Sequence, residues 1–290
     1  MENIIEIKNV TKKYGKNIGI ENLSLEIKKG EVFGFIGPNG AGKSTTIKCI
    51  MDLVNRNLGE IYIDGNLVKR NNTKLKEKIG YLPSEIHLYD DLTVEKMIEY
   101  SNSFYSKDCM PKAKKLIEKL EVDVKKKIDE LSLGNLKKVG IILSLMHDPE
   151  IIVMDEATSG LDPLMQEVFY EIINEEKSNG KTIFYSSHIL NEIKRICDKV
   201  AIIKNGKIIK VDTIDNLSDS NLVKVKVETD RVEELKKELN LETFEQNQNE
   251  IEFVYKDING LLSILSKFKI NKLLINELDI EEIFIHYYKD

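Results

Sequence analysis

The sequence predicts an α/β protein carrying a small α+β C-terminal domain, and three observations support that reading. Gly37-Pro38-Asn39-Gly40-Ala41-Gly42-Lys43-Ser44-Thr45 follows an apolar run, Val32 to Ile36, and fits a glycine, four free positions, then Gly-Lys-Ser. Two more runs, Ile151-Ile152-Val153-Met154 and Thr182-Ile183-Phe184-Tyr185, lack the polar alternation of a half-exposed strand, so they read as central parallel strands covered on both faces. From Thr213 the chain changes to short alternating pieces, which places a domain boundary there: 1–212 and 213–290.

Taken in order, Ile5 and Ile7, then Leu23, Leu25 and Ile27, alternate with polar residues as in half-buried strands. After the glycine-rich loop, Ile47, Ile50, Met51 and Val54 recur at three- and four-residue intervals, which predicts a helix over 45–54. Asp64-Gly65 between Ile61, Ile63 and Leu67 predicts a hairpin. Residues 72–80 read as a short basic helix or loop leading to a strand over 79–82. From about 87 to 147 the pattern is helical, with an N-cap signal at Thr93, and predicts a helical subdomain. Asn205-Gly206 predicts a hairpin that closes the first domain. Beyond it, Val223, Val225 and Val227 predict a strand, Val232, Leu235 and Leu239 a helix, and Ile251, Phe253 and Tyr255 a strand. Leu261 to Phe268 predict a helix and Ile270 to Ile275 a strand. Asp279-Ile280-Glu281-Glu282 has the form of a capping box opening a last helix. This tail carries no catalytic signature and reads as a packing or dimerisation module.

Composition narrows the functions. With 41% apolar and 32% charged residues in 290, the chain is an ordinary globular protein with room for a sizeable core. No apolar run is long enough to span a bilayer, and the start lacks a cationic segment followed by an apolar one, so a cytosolic protein is expected. A net charge of -6 gives no support to nucleic acid as a partner. Cys49, Cys109 and Cys197 show no metal-ligand or redox spacing and read as reduced packing residues.

The chemistry gathers at strand ends. Glycines let backbone N–H groups curl round a phosphate, and a helix opening near Lys43 points its positive dipole end at the same charge. Lys43 adds a point charge for β- and γ-phosphates, and the Ser44 hydroxyl suits Mg²⁺, which keeps waters and takes phosphate oxygens. Asp155 and Glu156 follow the apolar 151–154 run. One acid there can help ligate a metal while its neighbour accepts a proton; the plainer reading is a surface turn. His188 falls at the end of the 182–187 run, where a ring N–H could reach a terminal phosphate, although a lone histidine is more often structural. Tyr14 is either an ordinary strand-end aromatic or a surface for stacking a nucleotide base.

Together these residues resemble the nucleotide-binding subunit of an ATP-binding cassette (ABC) transporter, over about the first 212 residues and weakly to the end. Gly37 to Thr45 is similar to the Walker A motif, Ile151 to Asp155 to Walker B with Glu156 as the following acid, and Ser159-Gly160-Leu161-Asp162 to the D-loop. His188 is similar to the switch histidine, and Tyr14 stands at the adenine-stacking position. Leu131-Ser132-Leu133-Gly134-Asn135 falls where the signature Leu-Ser-Gly-Gly-Gln should stand, with Leu133 for a glycine and Asn135 for glutamine. Ser84, in Tyr81-Leu82-Pro83-Ser84-Glu85, replaces a metal-contacting glutamine with a shorter hydroxyl, and Ala157 replaces a proline.

The resemblance implies a P-loop NTPase of the ABC type with an antiparallel β subdomain and a helical subdomain. It implies that ATP binds Tyr14, Gly37, Pro38, Asn39, Gly40, Ala41, Gly42, Lys43, Ser44 and Thr45 of one subunit, and Ser132, Gly134 and Asn135 of a second one. That second nucleotide-binding subunit makes either a homodimer or a heterodimer. Ser44, Asp155 and Ser84 are the implied Mg²⁺ positions, and Glu156, His188 and Lys43 the implied catalytic ones. It further implies an ATPase on the inner face of the cell membrane, driving a separate transmembrane permease of the drug- or peptide-exporter type. The alternatives are a soluble ABC ATPase without a transport task and an ATP-sensing module with little turnover, the latter suggested by Ser84 and Leu133.

Overall fold

The computed structural model describes residues 2–69, 72–218, 223–241 and 244–277. The chain divides between Ile214 and Asp215 into two compact units. The capping-box segment beginning at Asp279 lies outside the described residues.

The first unit opens with two long strands, β1 (Asn3–Tyr14) and β2 (Asn17–Lys28). Then come β3 (Val32–Ile36), α1 (Lys43–Ile50), β4 (Leu58–Ile63), β5 (Asn66–Leu67), α2 (Thr73–Lys76) and β6 (Ile79–Leu82). A helical stretch follows, with α3 (Val94–Asn102), α4 (Met110–Lys119) and α5 (Leu133–Leu145). The unit is completed by β7 (Ile151–Asp155), α6 (Pro163–Ser178), β8 (Thr182–Ser187), α7 (Leu190–Ile196), β9 (Lys199–Lys204) and β10 (Lys207–Thr213).

These strands make two sheets. One is antiparallel, in the order β2-β1-β4-β5. The other runs β10-β9-β3-β8-β7-β6, parallel apart from the β9–β10 hairpin. All five residues of β3 and of β7 are buried, as their apolar runs require of strands covered on both faces. Phe184 of β8 sits against Phe35 at 5.3 Å between ring centroids and Phe33 at 6.2 Å, which locks the middle of the sheet. Register decides where function can sit. Ile36 pairs with Ser187, Asp155 with Ser186 and Met154 with Leu82, so the carboxyl ends of β3, β8, β7 and β6 form one edge.

Helix α1 is shorter than its apolar spacing predicts. It begins at Lys43 and ends at Ile50, because Met51 caps it and Asp52 turns the chain with φ 54°. Thr93 caps α3 by accepting from the Lys96 amide. The three cysteines are buried free thiols.

The second unit begins with α8 (Ile214–Ser218), which spans the division, then β11 (Val223–Thr229), α9 (Val232–Leu239), β12 (Glu245–Asn247), β13 (Glu250–Tyr255), α10 (Ile258–Leu265) and β14 (Ile270–Glu277). Its sheet order, β12-β13-β11-β14, with two helices in a β-α-β-β-α-β chain, is the split βαβ arrangement. Val225, Val227, Ile251 and Phe253 pack with Leu235 and Leu261 in its core. On the outer face Lys224 pairs with Glu252 and Lys226 with Glu250 across the strands.

Candidate active site

The loop between β3 and α1 is shaped by backbone crowding. Gly42, at φ 110°, leaves no room for a side chain: a Cβ there would lie 2.6 Å from the Gly19 carbonyl oxygen. The loop closes with the Ala41 amide donating to the Pro38 carbonyl, and the Ala41 carbonyl accepts from Gly206. Helix α1 then starts without a side-chain cap on its first turn. A cleft of about 300 Å³ lies over this loop, lined by Gly19, Asn39, Gly40, Gly42, Lys43, Ser44, Thr45, Ser84 and Glu156. Amides at a helix N-terminus facing such a cleft are a site for phosphate.

Lys43 is almost wholly buried, 5% exposed. Its ammonium donates to the carbonyls of Gly37 (2.7 Å) and Pro38 (3.3 Å) and pairs with Glu156 Oε1 at 3.3 Å. Glu156 follows the last residue of β7 with φ 52°, a left-handed backbone that costs about 1–3 kcal/mol where no glycine relieves it. Its other oxygen, Oε2, accepts from His188 Nδ1 at 2.6 Å, since an ionised carboxylate can only accept. One carboxylate thus joins the loop lysine to the histidine at the end of β8. Asp155 lies deeper, 1% exposed, and accepts from Ser186 Oγ at 2.6 Å.

Tyr14 stands at the rim. It is exposed, and its ring edge lies beside Gly19, where a Cβ would come within 3.1 Å of Tyr14 Cε2. The Lys12 ammonium sits 4.8 Å from its ring centroid. Ser132, Gly134 and Asn135 are placed elsewhere, at the start of α5, and do not line the cleft. Ser132 Oγ accepts from the Asn135 amide as the helix cap. Gly134 abuts Gly160, and a Cβ on it would meet the Gly160 carbonyl oxygen at 2.5 Å. Leu133, in the variant position, is 65% exposed.

Three contributors escape a reading of the sequence. Gly19 lines the cleft, and a lone glycine between Ile18 and Ile20 in a strand is the signal of a close backbone approach. Lys137 of α5 is buried and donates to the carbonyls of Ser84 and Glu156. Glu192 of α7 is buried and accepts from Tyr185 OH (2.8 Å), Ser187 Oγ (2.6 Å) and Thr158 Oγ1. It ties the strand end that carries His188 to the turn after Glu156. Burial first, then the Glu192 charge, holds the Tyr185 hydroxyl protonated well above its ordinary pKa.

A parallel sheet with a glycine-rich loop and buried lysine after one strand, and an acidic pair after another, defines a P-loop nucleotide-binding protein. The sequence family described as ABC transporter matches residues 20–159. The linearmycin resistance ATP-binding protein LnrL of Bacillus subtilis (strain 168) is 36% identical over 74% of this chain and 70% of its own length. The bacitracin transport ATP-binding protein BcrA of Bacillus licheniformis is 30% identical over 98% of this chain and 93% of its own. Among solved structures, the ATP-binding subunit of an ABC transporter superposes with a TM-score of 0.69 at 29% identity, covering 74% of this chain and 91% of that one. A dimeric ATP-binding cassette in a post-hydrolysis state with ADP and Pi gives 0.65 at 27% identity, covering 72% and 98%. The chain belongs to the ABC transporter family as an ATP-binding subunit, and it is an ATPase.

Proposed function

We propose that this ATPase powers a separate membrane permease that exports drugs, peptides or similar compounds, and that it works as one of two nucleotide-binding subunits on the inner face of the cell membrane. The observation that carries the reading is the single carboxylate of Glu156 placed between Lys43 and His188, 3.3 Å from one and 2.6 Å from the other, at the mouth of the phosphate loop. The transport task is supported by two relatives named for antibiotic resistance and antibiotic transport. Among the described residues no helix is long and apolar enough to cross a membrane.

The residues divide the work as follows. The loop amides from Gly37 to Thr45 receive the phosphates, with Asn39 and Gly40 at the cleft wall. Lys43 exchanges its loop carbonyls and Glu156 for β- and γ-phosphate oxygens. Tyr14 stacks on the adenine. Glu156 orients the attacking water and takes its proton while the bond between the γ-phosphorus and the bridging oxygen breaks, giving ADP and phosphate. His188 holds Glu156 through Nδ1 and presents its other ring nitrogen to the γ-phosphate. Ser132, Gly134 and Asn135 act on the nucleotide of the second subunit, which is consistent with their place away from their own cleft.

The donor set fits Mg²⁺. Ser44 and Ser84 are hydroxyl donors lining the cleft and Asp155 is a carboxylate beside it, all hard oxygen ligands. Bound together with ATP, a Mg²⁺ ion would be held by Ser44, Ser84 and Asp155 and would supply neutralisation of the phosphate charge.

The test is Glu156→Gln in the full chain. Turnover should fall by roughly 10² or more, while an ATP-dependent dimer accumulates in size-exclusion chromatography with light scattering. A variant that stays monomeric at saturating ATP contradicts the shared site.

A further inference from the structure

Lys137 is 1% exposed, one of the largest fully buried side chains. A buried ammonium is costly unless its donors are all met. Here its three N–H groups face three carbonyls, of Ser84 at 2.9 Å, Glu156 at 3.3 Å and Pro83 at 3.5 Å. Those carbonyls belong to two separate loops, one following β6 and one following β7, and both loops wall the nucleotide cleft. One of them belongs to Glu156, whose left-handed backbone must be held in place by its surroundings. Burial draws the Lys137 pKa down, and the neighbouring charges of Asp155 and Glu156 oppose that and favour the ammonium.

Lys137 rides on α5, five residues beyond Ser132 and three beyond Gly134, whose backbone also rests on Gly160. We propose that Lys137 is a positioning residue that pins Glu156 and the Ser84 loop to α5, so that contact of the α5 start with the second subunit's nucleotide is carried to Glu156 of the same chain. The inference rests on the shared-site reading above. It makes α5 a lever with its tip in one site and its anchor in the other. It also gives the Ser84 loop a second role: its backbone carbonyl, and not only its shortened side chain, links the helical stretch to the cleft.

The experiment compares the full-length wild type with Lys137→Met, which keeps length and removes the donors, and Lys137→Arg, which keeps charge and donors. Turnover, affinity for a fluorescent ATP analogue and hydrogen exchange by mass spectrometry are measured. In Lys137→Met turnover should fall roughly ten- to a hundredfold, with nucleotide affinity within about twofold, the split expected when only the reacting geometry is lost. Exchange should quicken in the peptides containing 83–85 and 155–160 and nowhere else, and Lys137→Arg should recover a large part of both properties. Wild-type turnover in Lys137→Met, or unchanged exchange in those two peptides, overturns the proposal. Loss of nucleotide binding with exchange quickened throughout the chain also overturns it, since that is the mark of general support. If wild-type protein neither turns over nor dimerises, the shared-site reading fails instead, and the exchange comparison still decides whether Lys137 holds the two loops.

Discussion

At the residue scale, Lys43 and Glu156 neutralise each other across the loop mouth, and Lys43 is the group whose charge has the largest work to do on phosphate. Lys43→Ala should lower turnover by about 10²–10³, the range for removing one preorganised electrostatic donor, as read in a phosphate-release assay. Tyr14 is exposed, so its ring offers a face to a base at modest gain. Tyr14→Ala should weaken ATP binding by roughly fivefold, about 1 kcal/mol, the low end for base stacking on an aromatic ring, with little change in maximal rate; an unchanged titration would remove Tyr14 from the site. Gly134→Ala places a Cβ 2.5 Å from a carbonyl oxygen of the Gly160 turn. It should cost about 1–3 kcal/mol of stability through overpacking, visible in the denaturant midpoint.

Elements explain why some of these residues could be read in the chain and others could not. The glycine-rich loop is local: a strand, a turn and a helix within fifteen positions, each with its own pattern, so Gly37 to Thr45 announced themselves. Asp155 and His188 were legible because each follows an apolar run at a strand end. Lys137 and Glu192 were not, because a charged residue on a helix ordinarily faces water. Their burial depends on carbonyls and hydroxyls from distant segments, Ser84 for one and Thr158 for the other. β12 escaped because Glu245–Asn247 has no apolar alternation and is made a strand by pairing with β13. His147 shows the same dependence. It looks incidental in the chain, yet it stacks on Tyr105 at 4.4 Å and its Nε2–H donates to the Ile79 carbonyl. Among the described residues its buried Nδ1 has no partner, so a second proton has nowhere to bond there. Burial therefore lowers its pKa to about 4, with the Ile79 bond opposing. The folded state refuses a proton that the unfolded chain accepts, so this contribution is complete above pH 6.5 and is lost as pH falls from there toward about 4. His147→Phe should flatten that part of the pH dependence of the denaturation midpoint. Equal slopes for variant and wild type would show that the ring is protonated as readily in the fold as outside it.

At the scale of the whole molecule, the chain folds as two compact units. The first unit assembles the cleft along one edge of a parallel sheet, the place where open α/β sheets bind ligands. It also carries Ser132 and Gly134 at the start of α5, away from that cleft, which is where the proposed shared site with a second subunit would use them. The second unit has its own core and a face of cross-strand charge pairs. On the proposed reading, the residues that choose a cargo belong to the separate permease. The most direct measurement is therefore affinity purification of the full-length chain in mild detergent from membranes of its native cell, with partners quantified by mass spectrometry. A polytopic membrane protein should be recovered in stoichiometric amount, its presence should stimulate ATP turnover, and Glu156→Gln should abolish that effect. Recovery in the soluble fraction alone, with full turnover and no membrane partner, would contradict the proposed function.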